Sequence, residues 1–470
     1  MGRQSKERGL TALLGAAMLS LFGASGAGAI DLKDAVEAAL TTNPEIAQAV
    51  RNKEAIEFER KQAQGLYGPQ VNLDASAGGR RLENATRRDL DIADDVLWPV
   101  EGGIRVEQPL FDFGRTRAEI SRQASRTDGA AHRVGERAEF VALNVSRNYI
   151  DYLLQQRILA AAEDNVRFHE RLAGDLRQGV DQGSISIADQ QQAEERLQAA
   201  RANLTEAREE LENASIAFHQ LTGVAIGQPT MPPSLTGSVP GSIDEAIDVS
   251  RANHPRVLEA LADIDAARAE VAAARAERAP NISVEGGARV GDDVDGFKGR
   301  TEDVYGRVVM SWNIFDSGIR RARINEMTRR EGERLSRLHE VARQAEADVR
   351  TAWNRLENQR NLVGELEQQG RISDQLLVSY REQFNVGRRS LLDVLDSQNT
   401  RYNVQVRAET ARMSRLYAEY RVLAASNRLL EALGVTPPPA AIANARQAYR
   451  VAPVAPAEVM EPRSPYPPGE

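Results

Sequence analysis

Between Ala193 and Leu221 the apolar residues recur at alternating spacings of four and three: Ala193, Leu197, Ala200, Leu204, Ala207, Leu211, Ala214, Phe218 and Leu221. A 3.5-residue period held this long predicts a helix packed as in a coiled coil. A second frame of the same kind runs through Leu395, Tyr402, Val406, Met413, Leu416, Tyr420, Leu423 and Leu430, interrupted by Asn399, Glu409 and Asn427. Each frame follows a longer helical segment. The one from Gly114 to about Val180 extends roughly 100 Å at 1.5 Å per residue. Elsewhere the period falls to two. Ile104 and Val106 alternate with Arg105 and Glu107; Val304, Val308, Met310 and Ile314 share a face opposite Arg307, Ser311 and Asn313. The pattern predicts four strands of about ten residues, at 69–79, 102–110, 280–290 and 303–315.

The pattern occurs twice. Gly183 and Gly387, Ser186 and Ser390, Asp189 and Asp393, and Phe111 and Phe315 are each 204 residues apart. Pro44 and Pro255, Pro69 and Pro280, and Gly223 and Gly434 are each 211 apart. The two offsets differ by seven, two turns of a coiled coil, so an apolar seam stays in phase across the change. The reading is a duplicated unit: 30–240 as a first repeat, 241–435 as a second, each ordered helix, strand, loop, strand, very long helix, turn, long helix. The segment 436–470, with nine prolines and no apolar period, is expected to be disordered or draped on the surface.

Two hairpins alone are marginal in water, and their apolar faces need cover. The other solution is a membrane β-barrel wall, apolar toward lipid and polar toward the lumen. Four strands cannot close a barrel, so that solution needs several chains. Composition changes the picture in four places. Residues 1–29 carry Arg3, Lys6 and Arg8, an apolar run from Leu10 to Phe22 and Ala27-Gly28-Ala29, the layout of a secretory signal peptide. There is no cysteine among 470 residues, which excludes disulfides, zinc–thiolate sites, thiol nucleophiles and an N-terminal lipid anchor on cysteine. The formal charge of −8, with basic and acidic residues interspersed, argues against a nucleic-acid partner. A mean hydropathy of −0.46 and 5% aromatic residues fit long helices better than a compact enzyme.

Candidate chemistry is sparse. His132, His169, His219, His254 and His339 show no metal-ligand spacing, and no phosphate loop or nucleophile elbow occurs. The loop from Gly291 to Glu302 half-fits a calcium loop, but Gly291 replaces the first acidic ligand, so a solvated hairpin tip is expected. Asp393 and Asp396 lie three apart and share a helix face, open to an acid–base pair, although a rod of helices offers no concave pocket. Ser186-x-x-Asp189 and Ser390-x-x-Asp393 match capping boxes. Capping leaves Asp396 and the pair Arg388–Arg389 unexplained.

Taken together, the signal peptide, the duplicated half, Phe111-Asp112-Phe113-Gly114, Phe315-Asp316-Ser317-Gly318 and the run FNVGRRSLLDVLDSQNTRYN resemble the TolC-type outer-membrane efflux family over about 31–435. The resemblance implies a mainly α fold with a small β part: long antiparallel coiled-coil helices plus four transmembrane strands per chain. As a homotrimer these would complete a twelve-stranded barrel and an α-helical tunnel. It implies residence in the outer membrane of a Gram-negative bacterium, reaching into the periplasm. The implied partners are outer-membrane lipid, a periplasmic adaptor and an inner-membrane ABC or RND transporter; no cofactor and no reaction are implied. Asp393, Asp396, Arg389 and Asp189 match the family's periplasmic constriction, and Gly183, Ser186, Val386, Gly387, Ser390 and Leu391 its adaptor-docking tip. Phe384 stands where the family pattern has a gate tyrosine, and Ala188 where it has a threonine. Without a lipid-anchor cysteine, the chain resembles the type I secretion branch more than the lipoprotein multidrug branch. The competing reading is a soluble periplasmic coiled-coil scaffold or adaptor.

Overall fold

The computed structural model describes residues 30–451; the expected signal peptide at 1–29 and the segment 452–470 lie outside the described residues. Helices α1 (Leu32–Thr42) and α2 (Pro44–Gly65) lead into strand β1 (Gln70–Ala77). A loop holding β2 (Arg80–Arg81), α3 (Ala85–Asp89) and β3 (Val96–Leu97) returns through β4 (Val100–Phe111). The long α4 (Arg115–Asp181) and α5 (Ile187–Thr222) follow, then α6 (Ile243–Asn253) and α7 (Pro255–Ala276). A hairpin of β5 (Asn281–Asp292) and β6 (Arg300–Ser311) precedes α8 (Ile319–Asn385), α9 (Leu391–Ala425), α10 (Leu429–Leu433) and α11 (Ala445–Ala448). The protein is mainly helical, with a small sheet at one end. Both α4 and α8 have 67 residues, roughly 100 Å of helix.

The two Phe-Asp-x-Gly motifs make the strand-to-helix corners. Phe113 and Gly114 have φ of 52° and 93°, Ser317 and Gly318 of 54° and 88°, so two successive left-handed residues turn the chain sharply at each corner, and only glycine takes that region freely. The Asp112 and Asp316 carboxylates accept from the amides of Thr116 (2.7 Å) and Arg320 (3.1 Å) and satisfy the free first-turn donors.

The sheet order is β1-β4-β5-β6, antiparallel throughout. Register places Leu73, Ile104, Ala288 and Val304 in one cross-strand row, and Asp74, Gly103, Arg289 and Asp303 in the next. Side chains alternate along a strand, so one face is apolar and the other charged. Ion pairs Arg307–Glu285 (2.7 Å) and Arg289–Glu101 (3.6 Å) tie the polar face. The apolar face is bare: Leu73 and Val304 are each 82% exposed. The following helices keep the strand order, with α2 against α4, α4 against α7 and α7 against α8. Among the described residues no helix is long and apolar enough to cross a membrane.

The strands differ from expectation at their ends. The last strand stops at Ser311 rather than 315, because the Trp312 indole donates to the Arg278 carbonyl (3.0 Å) and draws the chain aside. The β1–β4 loop folds on itself: buried Arg87 donates to the carbonyls of Gly296 and Ile92, and to that of Asp95 at 3.0 Å, stitching the two loops together. At the half-fit to a calcium loop, Asp293 accepts from Gly299 N (3.0 Å) and Asp295 pairs with Arg289 (2.9 Å). Donors from the loop and from β5 occupy these acids.

The main core forms where α1, α4, α5, α9 and α10 meet, around Val36, Val145, Tyr149, Phe218, Tyr420 and Leu423. On α5 the alanines of the expected seam and Phe218 are buried, while Leu197, Leu204 and Leu211 stay half-exposed. On α9 the expected frame holds at Leu395, Met413, Leu416, Tyr420 and Leu423; between them Val404, Ala408 and Ala411 are buried where Tyr402 and Val406 were expected. That helix packs on two neighbours, α8 and α4, and carries a seam for each.

The segment 436–451 returns along α4. Arg446 bridges two buried carboxylates, Asp128 on α4 (3.0 Å) and Asp265 on α7 (2.6 Å), and Asp128 also accepts from Ala445 N (2.7 Å). Removing one partner of a buried ion cluster leaves its charge uncompensated. Arg446→Ala should therefore destabilise the detergent-extracted protein by about 3 kcal/mol or more in chemical unfolding, with Arg446→Lys milder.

Nearby, Glu139 accepts from Leu430 N (3.3 Å) while its Oε2 has no partner. Burial pushes its carboxyl up to about 7 from 4.5. The folded state thus binds this proton more tightly than the unfolded chain, so the group's ionisation weakens the fold progressively as pH rises from about 4.5 to about 7. Glu139→Gln should raise stability at pH 8 by roughly 1–3 kcal/mol and have almost no effect at pH 4, checked by unfolding at both pH values.

Candidate functional site

Two turns at the end remote from the sheet are built alike. Gly183 and Gly387 take φ of 72° and 71°, the left-handed position that closes a helix. In each turn the next residue's amide reaches back five positions, Ser184 N to Gly179 O (2.9 Å) and Arg388 N to Gln383 O (2.8 Å). Ser186 and Ser390 then cap α5 and α9: the amides of Asp189 and Asp393 donate to their hydroxyls at 3.1 and 3.3 Å. Each hydroxyl donates in turn to the same aspartate's carboxylate, at 2.6 and 2.7 Å. At Ser390 the box is complete, with Ser390 N donating to Asp393 Oδ2 (3.3 Å). The Ser390 hydroxyl bond, then the Ser390 amide and Arg389, hold the Asp393 carboxyl below the usual range. A carboxylate held ionised in this way is a poor proton carrier near neutral pH.

Two of the three charges left unexplained by capping, Arg389 and Asp396, have partners here. Arg389 donates from Nε to Gln383 (3.0 Å), lies 3.8 Å from Asp393 and stacks over Tyr380. Asp396, exposed one turn beyond Asp393, lies 4.0 Å from Arg196 of α5. Neither Tyr380 nor Arg196 stood out in the sequence. The aromatic spacing Tyr380 to Phe384, one helical turn, was the available signal for the first; the second is a contact between distant helices that no local pattern encodes.

The turns share one apolar knot. Leu172, Leu176, Ile185, Ala193 and Leu197 pack with Phe384, Leu391 and Leu395. Phe384 also meets Phe168, Leu377 and Val394, so it faces inward. Leu391 corrects the expected docking set: at 3% exposure it is core, because the first helical position after the cap points into the knot. Val386, 69% exposed, remains at the surface with Gly183, Ser186, Gly387 and Ser390; Ala188 is exposed as well. Above the knot, Gln398 donates to Asn165 (2.8 Å) in a buried polar layer with His169. Burial, then Arg196, lower the His169 pKa. The arrangement can attract cations and bind another surface, and it presents no activated nucleophile.

The model of the family described as outer membrane efflux protein matches residues 35–224 and 246–435. The chain is 25% identical to the outer membrane efflux protein BepC of Brucella suis over 70% of this chain and 72% of that one. It is 21% identical to the outer membrane protein TolC of Escherichia coli, over 88% and 85%. A membrane protein of known structure from Pseudomonas aeruginosa shares the fold, with a TM-score of 0.73 at 21% identity, covering 84% of this chain and 90% of that one. With a family model matched along both stretches, most of its length, the chain belongs to the outer membrane efflux protein family and is an outer-membrane export channel.

Proposed function

We propose that three copies of this chain form a passive exit duct, with a twelve-stranded barrel in the outer membrane and a helical tunnel across the periplasm. The observation that carries this reading is the sheet: an uncovered apolar face, a charged opposite face and two unpaired edges, β1 and β6. Lipid covers the first, a water-filled lumen suits the second, and pairing β6 of one copy with β1 of the next removes the edges. The half-exposed leucines of α5 suit a helical neighbour from another copy. The reading includes two structural repeats, 30–240 and 241–435; helices of 67 residues in each support it.

The turns form the periplasmic entrance. A three-fold axis makes each of Asp393 and Asp396 a ring of three carboxylates, a cation-attracting constriction, with Arg389 and Asp189 beside it. Gly183, Ser186, Val386, Gly387 and Ser390 offer the surface to a periplasmic adaptor. An inner-membrane ABC or RND transporter supplies the energy, and protein export through a type I system is favoured over drug efflux. A soluble scaffold would leave the apolar sheet face in water.

Two outcomes are expected. Val304→Arg, on the lipid face, should cost about 2–4 kcal/mol per chain and reduce trimer recovered from membranes, whereas Asn72→Asp, on the charged face, should leave it unchanged. Sedimentation in detergent reads both, and a folded monomer of the unaltered protein overturns the assembly. In planar bilayers, the double substitution Asp393→Ala/Asp396→Ala should weaken block by a trivalent cation at least about tenfold. Unchanged block removes the pair from the constriction.

A further inference from the structure

Arg389, in the turn between α8 and α9, sits over the end of α8. Its guanidinium carbon is 4.3 Å from the centroid of the Tyr380 ring, its Nε donates to Gln383, and Asp393 lies 3.8 Å away. The two uncharged contacts come from the last turns of α8, and both precede the glycine turn that delivers Arg389. A 3.8 Å approach between partly exposed side chains holds an arginine loosely, whereas an aromatic face fixes the plane of a guanidinium as well as its position. The ring at the expected gate position cannot serve, because Phe384 is turned into the apolar knot. Tyr380, one turn earlier, packs against the Phe168, Leu377 and Val394 cluster and presents its ring to the guanidinium. The same ring lines a cleft of about 200 Å³ between α8 and α9, shared with Ser373, Asp393, Asp396, Ser397 and Thr400. Ser397 is 6% exposed, and its hydroxyl has no partner among the described residues.

We propose that Tyr380 positions Arg389 beside the Asp393 carboxylate and so sets how much uncompensated negative charge the entrance presents to a cation. The proposal rests on the constriction reading above. With the ring in place, one arginine per chain offsets part of the charge of the carboxylate pair. Without it, the same arginine is a long, mobile side chain, and its charge spreads into solvent, where salt screens it.

The test is trivalent-cation block of single channels in planar bilayers, with the cation/anion permeability ratio measured alongside. Tyr380→Leu should tighten block by about two- to fivefold, the size an exposed cation–π contact implies, and raise cation preference. Arg389→Gln should do the same, and the two together should add little. Tyr380→Phe keeps the ring and should restore the original block. Tyr380→Met gives a second ring-less variant should Tyr380→Leu fail to assemble, with trimer sedimentation as the control. If block shifts with Arg389→Gln but neither ring-less variant moves it, the positioning role falls and the constriction stands. If Arg389→Gln and the aspartate double substitution both leave block unchanged, the constriction itself falls and takes this proposal with it.

Discussion

An apolar face with nothing from its own chain laid over it governs this molecule. Leu73, Ile104 and Val304 lie in one row across the sheet, exposed to a degree that water would not tolerate in an isolated four-stranded sheet. The helices inherit the problem and its solution. Because α2, α4, α7 and α8 keep the order of the strands they join, whatever closes the sheet also closes the helical layer. The sharp corners at Asp112 and Asp316 transmit that order from one layer to the next, fixed by two carboxylates and two left-handed glycines.

Much of this was legible because it is periodic or local. The seam of α5, the glycine turns, the serine caps and the Phe-Asp-x-Gly corners are each set by residues within a few positions of one another. The rest depended on partners far along the chain. The second seam of α9 was masked by the first, since a helix packed on two neighbours shows neither period cleanly. Arg87 drawing a polar loop into a small folded unit, and Arg446 clamping Asp128 to Asp265, join residues whose separation leaves no periodic trace. Leu391 was misread for a related reason: the turn is exposed, but the residue after its cap points inward.

At the tip, the same charges serve the fold and the site. Asp393 completes a helix cap, an assignment sufficient to account for it in one chain, yet the cap also keeps the carboxyl ionised, as the proposed cation-attracting ring requires. Capping geometry and the proposed constriction therefore call for the same residue, and a capping box in the sequence could not separate them. Asp396 has no capping task, and its partner Arg196 comes from the other helical pair.

That pairing bears on how an entrance of this kind opens. An exposed ion pair contributes about 0.2–1 kcal/mol, so the Arg196–Asp396 contact by itself adds little to the hold of α5 on α9. The apolar knot beneath joins the same two helices more strongly, through Ala193, Leu197, Leu391 and Leu395, so pair and knot stay together as one unit. The buried layer of Asn165, His169 and Gln398 lies where α4 meets α9, and polar groups there bind less tenaciously than a continuous leucine seam. A partner that bound the splayed arrangement more tightly by a few kcal/mol would shift the balance. In the proposed trimer such rigid units move as bodies, so docking alone is enough to bias the entrance, with no chemistry at the duct itself.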